Sequence, residues 1–96
     1  MPHPTSLRFR VTGRVQHVWF RGWAQQTARN LGLAGWVRNE PDGSVRGVAQ
    51  GSTEALERFR LALYEGPPSA LVGTVEAELE TQEGDSEIFA DFVVRR

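Results

Sequence analysis

Residues 7–12, "LRFRVT", alternate strictly: Leu7, Phe9 and Val11 fall on one side of an extended chain, Arg8, Arg10 and Thr12 on the other. That is the pattern of a half-buried strand. From Phe20 the period changes. Phe20, Ala24, Thr27, Ala28 and Leu31 recur at three and four, and Gly32 stands where a left-handed cap would end a helix, with Leu33 able to fold back. The spacing predicts a helix over about 20–31. "AGWVRNE", 34–40, predicts a second strand, and "PDG", 41–43, a turn in which Pro41 fixes φ, Asp42 bonds nearby backbone and Gly43 accepts positive φ. The return strand, "SVRGVAQ", sets Val45, Gly47 and Ala49 on one side, where the two small residues would let a helix lie close to the sheet. Ser52 is placed to cap a second helix with Glu54 in its first turn. Leu56, Phe59, Ala62 and Leu63 form its apolar stripe, and "GPP", 66–68, ends it. "TVEAELE", 74–80, alternates Val75, Ala77 and Leu79 with Glu76, Glu78 and Glu80 as a fourth strand. "EGD", 83–85, reads as a turn and "EIFADFVV", 87–94, as a fifth strand of ambiguous facing.

The order strand, helix, strand, strand, helix, strand is the split βαβ arrangement. It predicts an α+β, ferredoxin-like βαββαβ sandwich: an antiparallel sheet with both helices on one face, here with an extra C-terminal strand. In that topology the first and fourth strands are antiparallel neighbours, so Arg8 and Arg10 would face Glu76, Glu78 and Glu80 across the open side. Such pairs choose the neighbour more than they hold the fold.

The 96 residues, 40% of them apolar, suit one domain spanning 1–96, with a loose, polar N-terminus over 1–6. No cysteine is present, which excludes disulfides, thiolate metal sites and a cysteine nucleophile. Eleven cationic side chains, all Arg, are interleaved with twelve acids to a net charge of −1, without the basic stripe that nucleic acid or an anionic membrane surface requires. Neither partner is expected. Ferredoxin-like sheets bind RNA through exposed aromatics on their central strands, but here the first strand's open face shows Arg8 and Arg10 and the third's Arg46, Val48 and Gln50, which leaves RNA binding a weak alternative. No apolar leader and no run of eighteen apolar residues occurs, so a cytoplasmic, soluble protein is expected, and a monomer, since no sustained exposed apolar stripe is evident. His3 and His17 are the only histidines and no carboxylates pair at ligand spacing, so no metal site is expected. Ser44 and Ser52 have no base partner and read as turn and cap. Trp19, Trp23 and Trp36 read as packing residues or as the lining of a substrate mouth.

The informative stretch is "TGRVQHV", 12–18, between the first strand and first helix. A loop that brings several backbone N–H groups beside a helix N-terminus is a ready anion site, because those donors lack intrahelical partners and the helix dipole adds about half a positive charge. Arg21 falls in the first turn, where a cation opposes that dipole by roughly 0.3 to 1 kcal/mol. A bound anion would reverse the sign of this effect, since a guanidinium fork matches two phosphate oxygens while loop N–H groups take the third. Arg in a first turn is also common on surfaces, and spacing alone does not choose. No Walker A loop is present, and without Lys none is possible.

At this point the residues have a likeness. "GRVQHVWFR", 13–21, resembles the first acylphosphatase signature, and "GWVRNEPDGSVRGVAQG", 35–51, the second, with Gly35, Asn39, Gly43, Val45 and Gly51 at the family spacing; "EGPPSALV", 65–72, is similar to bacterial members. The resemblance implies hydrolysis of the carboxyl-phosphate bond of small acyl phosphates, releasing carboxylate and inorganic phosphate with no metal, cofactor or covalent intermediate. By matching position it makes Arg21 the phosphate-binding arginine, Asn39 the water-orienting asparagine, and the backbone of Arg14, Val15, Gln16, His17 and Val18 the phosphate cradle. On its own residues Asn39, at a strand end before a turn, reads as satisfying local backbone groups. In the family role its amide would position water without deprotonating it.

His17 departs from the family, which usually has Gly between Gln16 and Val18. If that position needs φ > 0, His takes it with strain. Its ring could narrow the cradle, or a protonated imidazole could add charge beside the phosphate. The alternative to an enzyme is therefore an anion-binding, acylphosphatase-like module with little turnover.

Overall fold

The computed structural model describes residues 5–81 and 87–96. Strands β1 (Thr5–Arg14), β2 (Ala34–Asn39), β3 (Val45–Gly51), β4 (Leu71–Thr81) and β5 (Phe92–Arg95) form one sheet in the order β4-β1-β3-β2-β5. Helices α1 (Phe20–Asn30) and α2 (Thr53–Leu63) pack on the face that carries Leu7, Phe9, Val11, Val37, Val45 and Ala49, all buried. This is the ferredoxin-like sandwich that the periodicity predicts. β1 pairs antiparallel with both β3 and β4, whereas β5 runs parallel to β2, so the sheet is mixed at that edge.

The elements follow local chemistry. Ser52 accepts a hydrogen bond from the Ala55 N–H at 3.1 Å, with Glu54 in the first turn of α2. At the far end of α1, Gly32 takes φ 73° while the Leu33 N–H reaches back to the Ala28 carbonyl at 2.9 Å, which buries Leu33. Gly43 takes φ 94° and Asp42 accepts from the Ser44 N–H at 2.9 Å, the bond expected of the turn. The room above Gly47 is used differently from the expectation. It is filled by the Phe9 ring, not by a helix backbone, and Phe9 stacks edge-on against Phe59 of α2 at 5.4 Å. Phe59 in turn meets Phe92 of β5 at 5.9 Å, so one aromatic row joins sheet centre, helix and C-terminal strand.

Several boundaries differ from the sequence reading. The loose N-terminus does not extend to residues 5–6, because β1 starts at Thr5 and Ser6 is buried between two neighbouring strands. β4 starts at Leu71, since a register shift between Thr12 and Gly13 lets the pairing continue to Arg14 although "LVG" shows no alternation. The fifth strand covers only 92–95; before it, Gln50 clips the chain with its amide, donating to the Glu87 carbonyl at 2.6 Å and accepting from the Phe89 N–H at 2.9 Å. The turn read at 83–85, and His3, lie outside the described residues. On the open face Arg10 meets Glu76 at 3.3 Å in register, but Arg8 takes the diagonal Glu80 at 3.1 Å rather than its register partner Glu78.

Arg10 also donates to Asp42 at 2.7 Å, which ties the hairpin turn to β1. Hydrogen bonds from the Ser44 hydroxyl and then from Arg10 hold the Asp42 carboxyl well below the ordinary carboxylate range. A carboxyl depressed on folding contributes stability above its unfolded pKa, near 4, and loses it as pH falls toward the folded value. Asp42→Asn should therefore lower Tm at pH 7, and the gap to the parent should narrow below about pH 4, as measured by thermal unfolding across pH.

Candidate active site

β1 and β2 are both antiparallel to β3, and β5 is parallel to β2, so β1, β2 and β5 all point their C-terminal ends the same way. The β1–α1 loop, the start of α1, Asn39 at the end of β2, and Arg95 at the end of β5 therefore share one end of the sheet. Two stretches separated in sequence, 13–21 and 35–51, converge there.

The start of α1 is built unlike that of α2. Its N-cap is Trp19, which makes no side-chain capping bond, and no acid lies in the first turn. The first backbone bond is from the Trp23 N–H to the Trp19 carbonyl at 3.0 Å, which leaves the N–H groups of Phe20, Arg21 and Gly22 outside the intrahelical ladder. Among the described residues, the N–H groups of residues 16–19 likewise donate to no chain acceptor. A cluster of unpaired donors at a helix N-terminus attracts an anion, and Arg21 adds a full charge to it.

The loop's shape comes from two residues in the left-handed region, His17 at φ 62° and Trp19 at φ 66°. The position that the family usually fills with Gly does require positive φ, and His17 adopts it with its side chain exposed. Val15 is buried in the core and Val18 packs against it, so the loop is anchored at both of its valines. Gln16 is the cross-link. Its amide donates to the Glu40 carbonyl at 2.7 Å and the Ser44 carbonyl at 3.0 Å, which pins the loop to the hairpin immediately beyond Asn39. Nothing in the sequence pattern signalled this side-chain role; only the pairing of β1 with β3 brings the three residues together. Arg14, the last residue of β1, is exposed opposite Leu71 and points its side chain into solvent rather than the core.

Arg21 is half-buried and reaches the Arg95 carbonyl at a long 3.4 Å, with no carboxylate within ion-pair distance among the described residues. Arg95 stands in register with Arg38, the neighbour of Asn39, so Arg21 and Asn39 belong to one corner. The Asn39 side chain does not satisfy the local backbone as its strand-end position suggests. Its Oδ1 is buried without a hydrogen-bond partner, an arrangement that native proteins rarely leave unused. Of the three tryptophans, Trp23 packs against Phe20 at 5.2 Å and Trp36 lies between Arg38 and Arg95, with guanidinium carbons 5.1 and 4.9 Å from its ring. Trp19 alone is strongly exposed.

The chain is thus an α+β, ferredoxin-like sandwich with an unpaired amide loop and an arginine at the head of its first helix. The acylphosphatase family model matches residues 7–94. An acylphosphatase of Salinibacter ruber is 48% identical over 87 residues, covering 91% of this chain and 88% of that protein. One of Rhodospirillum rubrum is 51% identical over 67 residues, covering 70% and 74%. The solved acylphosphatase of Bacillus subtilis superposes with a TM-score of 0.88 at 33% identity, covering 96% of this chain and 99% of that one. The chain belongs to the acylphosphatase family.

A bulky residue held at positive φ is strained by roughly 1 to 3 kcal/mol, against which Gly loses about 0.5 to 1 kcal/mol of extra chain entropy. His17→Gly should therefore raise stability, by up to about 2.5 kcal/mol, while β-branched His17→Val lowers it by about 1 to 3 kcal/mol, read from urea midpoints.

Proposed function

We propose that this protein hydrolyses small acyl phosphates, with the Arg21 guanidinium and the backbone N–H groups of the 14–18 loop holding the phosphoryl group and the Asn39 amide orienting the attacking water. The observation that carries this reading is the head of α1: uncapped, free of acids, bearing Arg21, and set in the same corner as an Asn39 Oδ1 that has no partner. An amide offers both an acceptor for a water proton and donors for a phosphoryl oxygen, but it is no base near neutral pH. Its contribution is geometry.

The reaction suits such a site. Water adds to phosphorus as the bond from phosphorus to the carboxyl oxygen breaks, the carboxylate leaves with the bonding pair, and the water's proton passes to a phosphoryl oxygen. In a loose transition state, most of the catalysis comes from alignment in line and from charge stabilisation of the phosphoryl oxygens. Carboxylate is a good leaving group, so no strong general acid is needed, and the phosphoryl group itself serves as the proton acceptor. The chain's own guanidinium and amides supply the stabilising charge, so turnover without added metal belongs to the reading, as does action as a monomer.

His17 does not favour the low-turnover module, since it reproduces the positive φ that the loop needs. Benzoyl phosphate hydrolysis tests the proposal. Turnover should persist in excess chelator, and Arg21→Ala and Asn39→Ala should each lower kcat/KM by about 10² to 10³ with the fold intact by circular dichroism. Phosphate binding without turnover in the parent would support the module instead. A kcat profile that breaks at an enzyme group near neutrality would contradict proton transfer to the substrate.

A further inference from the structure

Trp19 combines features that each oppose stability. It occupies the N-cap of α1 without supplying an acceptor, it sits at φ 66° and ψ 21° where a bulky aromatic is an outlier, and the residue is 61% exposed. The ring folds back along the first turn of the helix. A Cβ built on Gly22 would overlap it, lying 2.6 Å from Cδ1 and 2.8 Å from Cε2, so only glycine lets the indole lie flat there. Glycine inside a helix is itself destabilising relative to alanine. Two local penalties thus hold one aromatic ring in water beside the phosphate loop. A packing role would bury the ring, as Trp23 is half-buried against Phe20 four residues later.

The indole also opens a groove of about 300 Å³ that runs over Gly22 and past Gln25, Gln26, Arg29 and Asn30. Arg29 is engaged there by Asp91 through Nε at 3.1 Å and Nη2 at 2.8 Å, which offsets its charge and leaves the groove without a free cation to select an anionic tail. Among the described residues, Trp19 is the only exposed large apolar side chain in the β1–α1 loop, α1 or the β2–β3 hairpin. A phosphoryl group held by the loop must direct its acyl arm outward, and among the described residues Trp19 is the large apolar side chain that the loop itself exposes.

We infer that Trp19, seated on Gly22, is a specificity-determining residue whose ring receives the acyl group, so that flat aromatic acyl phosphates are preferred over acetyl phosphate. The inference rests on the acyl phosphate hydrolysis proposed above. It is tested by measuring kcat/KM for benzoyl phosphate and acetyl phosphate, with inhibition by inorganic phosphate, in the parent, Trp19→Gly and Gly22→Ala. Trp19→Gly removes the ring while suiting the left-handed backbone, and Gly22→Ala displaces the ring while keeping it. Both should lower the ratio of kcat/KM for benzoyl phosphate to that for acetyl phosphate by about three- to tenfold, with any change in the shared phosphate site read separately from phosphate inhibition. Equal losses on both substrates, or no loss on either, would overturn the inference while leaving the hydrolytic reading intact. A parent that turns over neither substrate would overturn both.

Discussion

Backbone donors at the head of a helix must be satisfied from somewhere, and among the described residues the head of α1 finds no acceptor in the chain. The comparison with α2 makes the point within one molecule. There Ser52 caps, Glu54 complements the dipole, and the helix start is self-sufficient. At α1 the cap residue contributes nothing, the first turn carries Arg21 instead of an acid, and the preceding loop adds further unpaired N–H groups. Each of these choices lowers stability in the free chain, and each would raise affinity for a phosphoryl group in the proposed site. The local conflict with helix-building rules locates the site.

The rest of the fold holds that arrangement in place. β1 occupies a central position in the sheet, flanked by β4 and β3, so the loop leaves from a strand that cannot shift easily. Val15 fixes the loop from below and the Gln16 amide fixes it sideways to the hairpin. Arg10 and Asp42 hold the same hairpin from the open face. Asn39 is thereby set between two anchored segments, with its Oδ1 buried and without a hydrogen-bond partner. The left-handed conformations at His17 and Trp19 persist because this framework over-determines them.

Much of this was legible in the residues themselves. The alternation of "LRFRVT" and "TVEAELE", the three-four spacing after Phe20, the Ser52 cap and the "PDG" turn each name a local solution that the fold adopts. The oddity of Arg21 was visible too. What escaped reading depended on contacts between distant segments. The extension of β4 to Leu71 follows from a register shift in its partner, and the burial of Ser6 from neighbours on both sides. The Gln16 bonds exist only once β1 and β3 are paired, and Arg8 reaches Glu80 because side chains cross the sheet diagonally. An exposed Trp19 runs against the burial habit of its residue type, so pattern alone favours the wrong placement.

The central claim is that the amides of the β1–α1 loop, the first turn of α1 and the Arg21 guanidinium form one receptor for a dianion. Titration of the ¹⁵N-labelled protein with inorganic phosphate, followed by amide and guanidinium resonances, tests it most directly. Saturable shifts confined to residues 15–22, the Arg21 side chain and the Asn39 amide, and lost in Arg21→Ala, are the predicted result. Shifts that are absent at millimolar phosphate, or that spread over the arginines of the open sheet face and survive in Arg21→Ala, would contradict it.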